Sequence, residues 1–274
     1  MVKDVVVNLM VGGSRDAAAE YAVSMSGTFG AHLVGIAFAY EPVLPAVIGA
    51  GIPESVIDEQ REENERAAKA AAGNFDTIAK SVAHETRMLG ASLAGAADTF
   101  GEIARCFDLS VVGQSERERV GPEELVVEGA LFGSGRPVVV VPFGHQGGML
   151  LDRIAICWNG GRNAARATAE AMPFLKRAKT VDIIVVAADN SGPIEGTAAE
   201  LARHLARHDI KAQVTRVPQG NLRVSAAILA YAADSGATML VMGGYGHSRL
   251  REFMLGGTTR GVLKSMTVPT LMSH

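Results

Sequence analysis

The chain has 274 residues, 48% of them hydrophobic and 20% charged, with a net charge of −3 at pH 7. That length is generous for one compact domain and comfortable for two of ordinary size. The near-neutral charge and the lack of a dense Lys/Arg block argue against a nucleic-acid partner, and no apolar run approaches the length of a membrane span. Cys106 and Cys157 lie far apart without metal or redox spacing, a usage expected of reduced cytoplasmic thiols. The apolar run in the opening MVKDVVVNLMVGG is too short for a signal-peptide core, so a cytoplasmic location is expected.

Val5 to Met10 reads as a central strand, apolar on both faces as parallel sheets require. Gly12-Gly13-Ser14 turns it into an alanine-rich helix, Arg15 to Met25, and His32 to Ala39 forms a second strand. Glu41 to Pro53 is an irregular apolar segment, read as a packed loop, a lid, a partner surface or an apolar-ligand pocket. Ser55 followed by Asp58 resembles a capping box that opens a long, charge-rich helix to about Lys80. Val82 to Met88, Leu109 to Val112 and Pro137 to Pro142 complete the first set of strands.

Phe143 to Gly148 is turn-rich, and the domain boundary is placed there, giving domains over 1–146 and 147–274. The pattern then starts over. Ile154 to Trp158 is a strand, Asn159-Gly160-Gly161 a turn, and Ala164 to Lys176 a second alanine-rich helix. Strands at Val181 to Ala187, Ala212 to Val217, Met239 to Met242 and Val268 to Met272 follow, separated by helices at Glu195 to His208 and Val224 to Ala233. Gly12-Gly13 aligns with Gly160-Gly161, Gly129 with Gly261, Leu131 with Leu263 and Pro137 with Pro269, which makes the chain an internal repeat. Alternating strands and helices make each half an α/β unit with right-handed crossovers.

The strand ending at Met242 empties into glycines at 243, 244, 246, 256 and 257. Bare amides in such a loop, with the start of the next helix, suit an anion. Gly243-Gly244-Tyr245-Gly246, then nine residues, then Gly256 resembles the G-x-x-G-x9-G-[S/T] pattern of ATP-binding universal stress proteins. The Val262 to Ser265 helix, the Val268 to Leu271 strand and Asn159-Gly160 followed by Asn163-Ala164-Ala165-Arg166-Ala167 are also similar to that family. Both halves take part, so the chain resembles a tandem, UspA-like universal stress protein.

The resemblance implies two Rossmann-like domains of the adenine nucleotide alpha hydrolase type. Each would be a five-stranded, mainly parallel sheet flanked by helices, the two related by a pseudo-two-fold axis. It implies pairing through the closing strands, Val138 to Val141 beside Val268 to Leu271, with a homodimer as a further assembly. It also implies ATP, with or without Mg, in the C-terminal half. Gly243, Gly246 and Gly256 would cradle phosphate, with His247 in reach of it. Gly257 stands where the family has Ser or Thr, so Thr258 and Thr259 would supply the hydroxyl. Asn159 sits at an often acidic position that contacts ribose or adenine, and Ala187 lies near the expected backbone contact. In the N-terminal half Glu116 replaces the second loop glycine, Glu124 and Leu125 stand opposite Gly256 and Gly257, and Val11 replaces a polar residue, so this half is not expected to bind ATP in that manner.

Other readings attach to the same residues. The glycine loop could be a plain strand-to-helix connection, and Asn159 could simply stabilise its turn. His204 and His208, one helical turn apart, could chelate a metal, but no third ligand is near and a solvated helix face is the simpler reading. Cys157 reads as a buried small hydrophobe. No nucleophile, base and orienter can be assembled, so no catalytic residue is assigned. The expected function is a stress-response sensor or binding module for an adenine nucleotide, with slow or no hydrolysis. A non-nucleotide scaffold and an ATP-hydrolysing enzyme using His247 are the alternatives.

Overall fold

The computed structural model describes residues 1–13, 15–41, 53–115, 121–187, 192–244 and 257–274. They form two compact units. One is Val2–Arg136 with Gln146–Gly148; the other is Pro137–His145 and Met149–His274, together with Met1.

The first unit contains, in chain order, β1 (Asp4–Asn8), α1 (Ala17–Phe29), β2 (His32–Tyr40), α2 (Glu54–Ile78), β3 (His84–Ala91), α3 (Leu93–Ala104), β4 (Leu109–Gly113) and α4 (Pro122–Gly133). Its strands pair in parallel in the order β3-β2-β1-β4. Val5, Val6 and Val7 of β1 are fully buried, as a central strand covered on both faces demands. Asp16 caps α1, its side chain accepting from the Ala19 amide, and Gly30 ends the helix in the left-handed conformation at φ 64°.

The long helix α2 differs from its expected start. It begins at Glu54 with Pro53 in the cap position and no side-chain cap bond, so Ser55 lies inside the first turn rather than capping it. Proline has no side-chain acceptor to offer the first amides, and at this start the Val56 amide donates to the Pro53 carbonyl at 3.0 Å. Only Ala68, Ala72 and Phe75 of α2 are buried. Phe75 sits over Gly35 of β2, where an added Cβ would lie 2.7 Å from the ring.

The second unit contains β5 (Val138–Val141), β6 (Arg153–Cys157), α5 (Arg162–Glu170), α6 (Met172–Leu175), β7 (Thr180–Ala187), α7 (Gly192–Ala206), β8 (Ala212–Pro218), α8 (Val224–Ser235), β9 (Met239–Gly243), α9 (Thr258–Ser265) and β10 (Thr270–Ser273). Five strands run parallel in the order β10-β9-β6-β7-β8. β5 lies antiparallel to β10, with Val140 opposite Thr270 and Val138 opposite Met272. All four valines of β5 are buried, and they cover an edge that β10 would otherwise expose.

The repeat recurs in backbone detail. Gly12 and Gly160, the first glycines of the two turns, are both left-handed, with φ 86° and 71°. Gly129 of α4 packs on the Ala97 backbone of α3, and Gly261 of α9 packs on Ser225 of α8. β1 lies between β2 and β4, and β6 between β7 and β9, which places a reversal of strand order beside β1 and again beside β6.

Candidate functional site

In an open parallel sheet, ligands bind beyond the carboxyl ends of the strands where the order reverses. In the second unit that point lies between β6 and β9. The turn Trp158–Gly161, Gly244, and the first turns of α5 and α9 meet this end of the sheet, because each helix runs antiparallel to the strands it connects.

After β6 the left-handed Gly160 reverses the chain. The Gly161 amide donates to Asn159 Oδ1 at 2.9 Å, and Asn159 is exposed. Asn159 therefore shapes the turn with its oxygen while standing at the mouth of the crevice. Trp158 reaches sideways, its indole N–H donating to Thr197 Oγ1 at 3.0 Å. Burial pushes the Cys157 thiol up to about 12, so it stays protonated and unreactive at neutral pH. Ala187 is the last residue of β7.

Gly243 ends β9 with α5 directly against it. A Cβ there would lie 2.6 Å from the Ala164 nitrogen and 2.7 Å from the Asn163 carbonyl carbon. Glycine at this position is thus required by the seating of a helix on a strand, before any ligand is considered. Gly244 is bound on both sides. Its N–H donates to the Ser273 carbonyl at 2.8 Å, and its C=O accepts from Asn163 Nδ2 at 2.7 Å. His274 Nδ1 lies 3.1 Å from that same carbonyl oxygen.

Gly257 is the N-cap of α9, with φ −54°, ψ 156° and no side-chain cap bond. Thr258 is half-buried, whereas Thr259 is only 4% exposed. Of the two hydroxyl residues expected at a phosphate, Thr258 is the one nearer the surface. Gly246, His247 and Gly256 lie outside the described residues.

The charge around the helix starts separates the two units. α5 and α9 have glycine caps, no side-chain cap bond and no acidic residue in the first turn. Arg162 opens α5, and Arg260 is the third residue of α9. In the first unit, Asp16 accepts from the amides of Ala19 at 2.9 Å and Met10 at 2.7 Å. Glu20, paired with Arg15, lies in the same turn, and Glu123 and Glu124 occupy the first turn of α4. Glu123 is also one cause, after burial, that raises the Tyr40 phenol pKa. Leu125 follows in α4, and Glu116 is outside the described residues. Glycine caps without first-turn carboxylates thus mark α5 and α9, whereas carboxylates mark the starts of α1 and α4.

Sequence reasoning missed Asn163, although one signal was present. The buried side of α5 is Asn163, Ala164, Ala167 and Thr168, a small-residue stripe with a carboxamide at its head. It also missed Asp182, which is 1% exposed within the apolar run of β7. Asp182 accepts from Arg153 at 2.7 Å and raises its pKa, while the Tyr231 pKa is raised by burial first and by Asp182 second. This pair lies toward the opposite end of the sheet from the crevice. His204 and His208 stack edge to face at 4.9 Å between ring centroids and are both exposed.

Residues 152–274 match the model of the Universal stress protein family. Over 45 residues the chain is 42% identical to the universal stress protein Slr1230 of Synechocystis, a match spanning 16% of each protein. A universal stress protein from Archaeoglobus fulgidus is similar over 98% of this chain and 95% of its own, with TM-score 0.67 and 17% identity. The functionally unknown protein PA1789 of Pseudomonas aeruginosa is similar over 99% and 92%, with TM-score 0.59 and 15% identity. At those identities the two structures establish the fold.

Proposed function

We propose that this chain is a universal stress protein, its residues 152–274 matching that family's model and its fold shared with the Archaeoglobus protein, and that its C-terminal unit binds an adenine nucleotide, ATP with or without Mg. One observation carries the reading. Two helix N-termini, those of α5 and α9, open at the switch point with glycine caps and no acidic residue. Oriented amides of this kind favour the charge of a polyphosphate. Asn159 at the rim suits a ribose or adenine edge, and Thr258 offers a hydroxyl to phosphate. The protein acts as a cytoplasmic sensor or binding module in a stress response, with hydrolysis slow or absent. The N-terminal unit contributes fold but no phosphate site.

Gly257→Asp tests this reading. Aspartate is a favoured N-cap, so the variant should fold at least as stably as the wild type. Its carboxylate would compete for the amides that phosphate needs. Equilibrium titration with ATP should show binding to the wild type and loss of at least about tenfold in affinity in the variant, about 1.4 kcal/mol. A wild type that does not bind ATP removes the nucleotide reading. Unchanged affinity in Gly257→Asp removes the α9 amides from the site.

A further inference from the structure

Gly244 is where the chain leaves the sheet, and its carbonyl is held from two directions. Asn163 Nδ2 donates to it at 2.7 Å and also lies 3.1 Å from His274 Nδ1, while His274 Nδ1 is 3.1 Å from the carbonyl oxygen. Arg166, almost one turn along α5, donates from its guanidinium to the His274 carbonyl at 3.0 Å. We propose that Asn163 is a positioning residue of the crevice: with His274 it fixes the plane of the peptide that leaves β9. The binding part of this inference rests on the nucleotide reading above.

Packing alone does not explain Asn163. It is 7% exposed on a helix face otherwise made of alanine and threonine. A buried carboxamide lowers stability unless its hydrogen bonds are made, so an alanine would serve the contact with Gly243 at less cost. What alanine cannot supply is a donor to the Gly244 carbonyl. The arrangement works with either imidazole tautomer. With Nδ1 protonated, His274 donates to Gly244; with Nδ1 bare, it accepts from Asn163, which still donates to Gly244. In both cases α5, β9 and the residue after β10 are tied to one peptide. A glycine has no side chain to resist rotation at this exit, so external bonds must set its orientation.

The test compares Asn163→Ala, Asn163→Asp and His274→Ala with Leu205→Ala, a fully buried position on α7 that perturbs the same unit by cavity formation. ATP affinity and amide hydrogen exchange of the 243–257 peptide are measured where every variant remains folded. Asn163→Asp is nearly the same shape but turns the donor into a repelling acceptor. Both Asn163 variants should therefore weaken ATP binding by about tenfold or more and speed exchange of that peptide. His274→Ala should do so less, because Asn163 still holds the carbonyl. Leu205→Ala should leave affinity within about twofold of wild type. Wild-type affinity in the Asn163 variants, or an equal loss in Leu205→Ala, overturns the positioning role while leaving nucleotide binding intact. If the wild type itself does not bind ATP, the nucleotide reading falls and exchange decides alone. Selectively faster exchange at 243–257 in Asn163→Ala then supports the lock, and unchanged exchange overturns it.

Discussion

Asp16 is a carboxylate held by two opposing influences. The amides of Ala19 and Met10 favour its charge, but burial is the larger cause and raises its pKa above the ordinary value. An aspartate with a raised folded-state pKa binds its proton more tightly in the folded chain than in the unfolded one. Its contribution therefore favours folding below the ordinary aspartate value of about 3.9 and is lost as pH rises through the folded value. Asp16→Asn keeps an acceptor for Ala19 and does not titrate. The stability of the wild type relative to this variant should fall between about pH 3.5 and about pH 6.5, as measured by urea unfolding at both values. An advantage that grows over that interval would show that the two amide bonds outweigh burial. Gly161, which caps α5 at the corresponding place, carries no such charge.

The repeated elements are joined by glycines whose demands differ. Gly129 of α4 packs against the Ala97 carbonyl of α3, and Gly101 of α3 returns the contact, an added Cβ there meeting the Gly129 carbonyl oxygen at 2.6 Å. Backbone cannot rotate out of the way, so Gly129→Ala should force the helices apart and cost about 3 kcal/mol or more. Gly261 meets only the Ser225 side chain, and Gly261→Ala should cost about 1 kcal/mol once that hydroxyl turns. Gly133→Ala is the control, since its Cβ would meet Gly101 at an ordinary 3.7 Å. It should change stability by no more than about 1 kcal/mol. Urea midpoints at constant m-value test the ranking, and equal costs at Gly129 and Gly133 would refute the close crossing.

The same elements show what the sequence could convey. Strand runs, glycine turns and the Gly129–Gly261 match were legible because each follows from chain-local period or backbone freedom. Asn163 stood within a helix pattern that could be read, but its role and that of Asp182 were not legible, because they depend on partners 81 and 29 residues away, Gly244 and Arg153. The cap of α2 was misread because a serine-to-aspartate spacing looked like a capping box, whereas Pro53 stands in the cap position.

At the scale of the whole chain, duplication has left two copies of one fold with opposite electrostatics at the corresponding ends. Asp16, Glu20, Glu123 and Glu124 surround the helix starts of the first unit, whereas those of α5 and α9 carry no carboxylate. A formal net charge of only −3 conceals this contrast. The contrast predicts one nucleotide per chain rather than two. Calorimetric titration should give a stoichiometry near one, and a value near two would mean that the first unit's carboxylates do not exclude phosphate. A ligand that binds only the folded form stabilises it by about 2.7 kcal/mol at a hundred times its Kd. If the proposed site lies within residues 152–274, added protection against hydrogen exchange should concentrate in that unit. Protection appearing first in the amides around Asp16 and Glu123 would instead place the ligand in the N-terminal copy and reverse the assignment of the two halves.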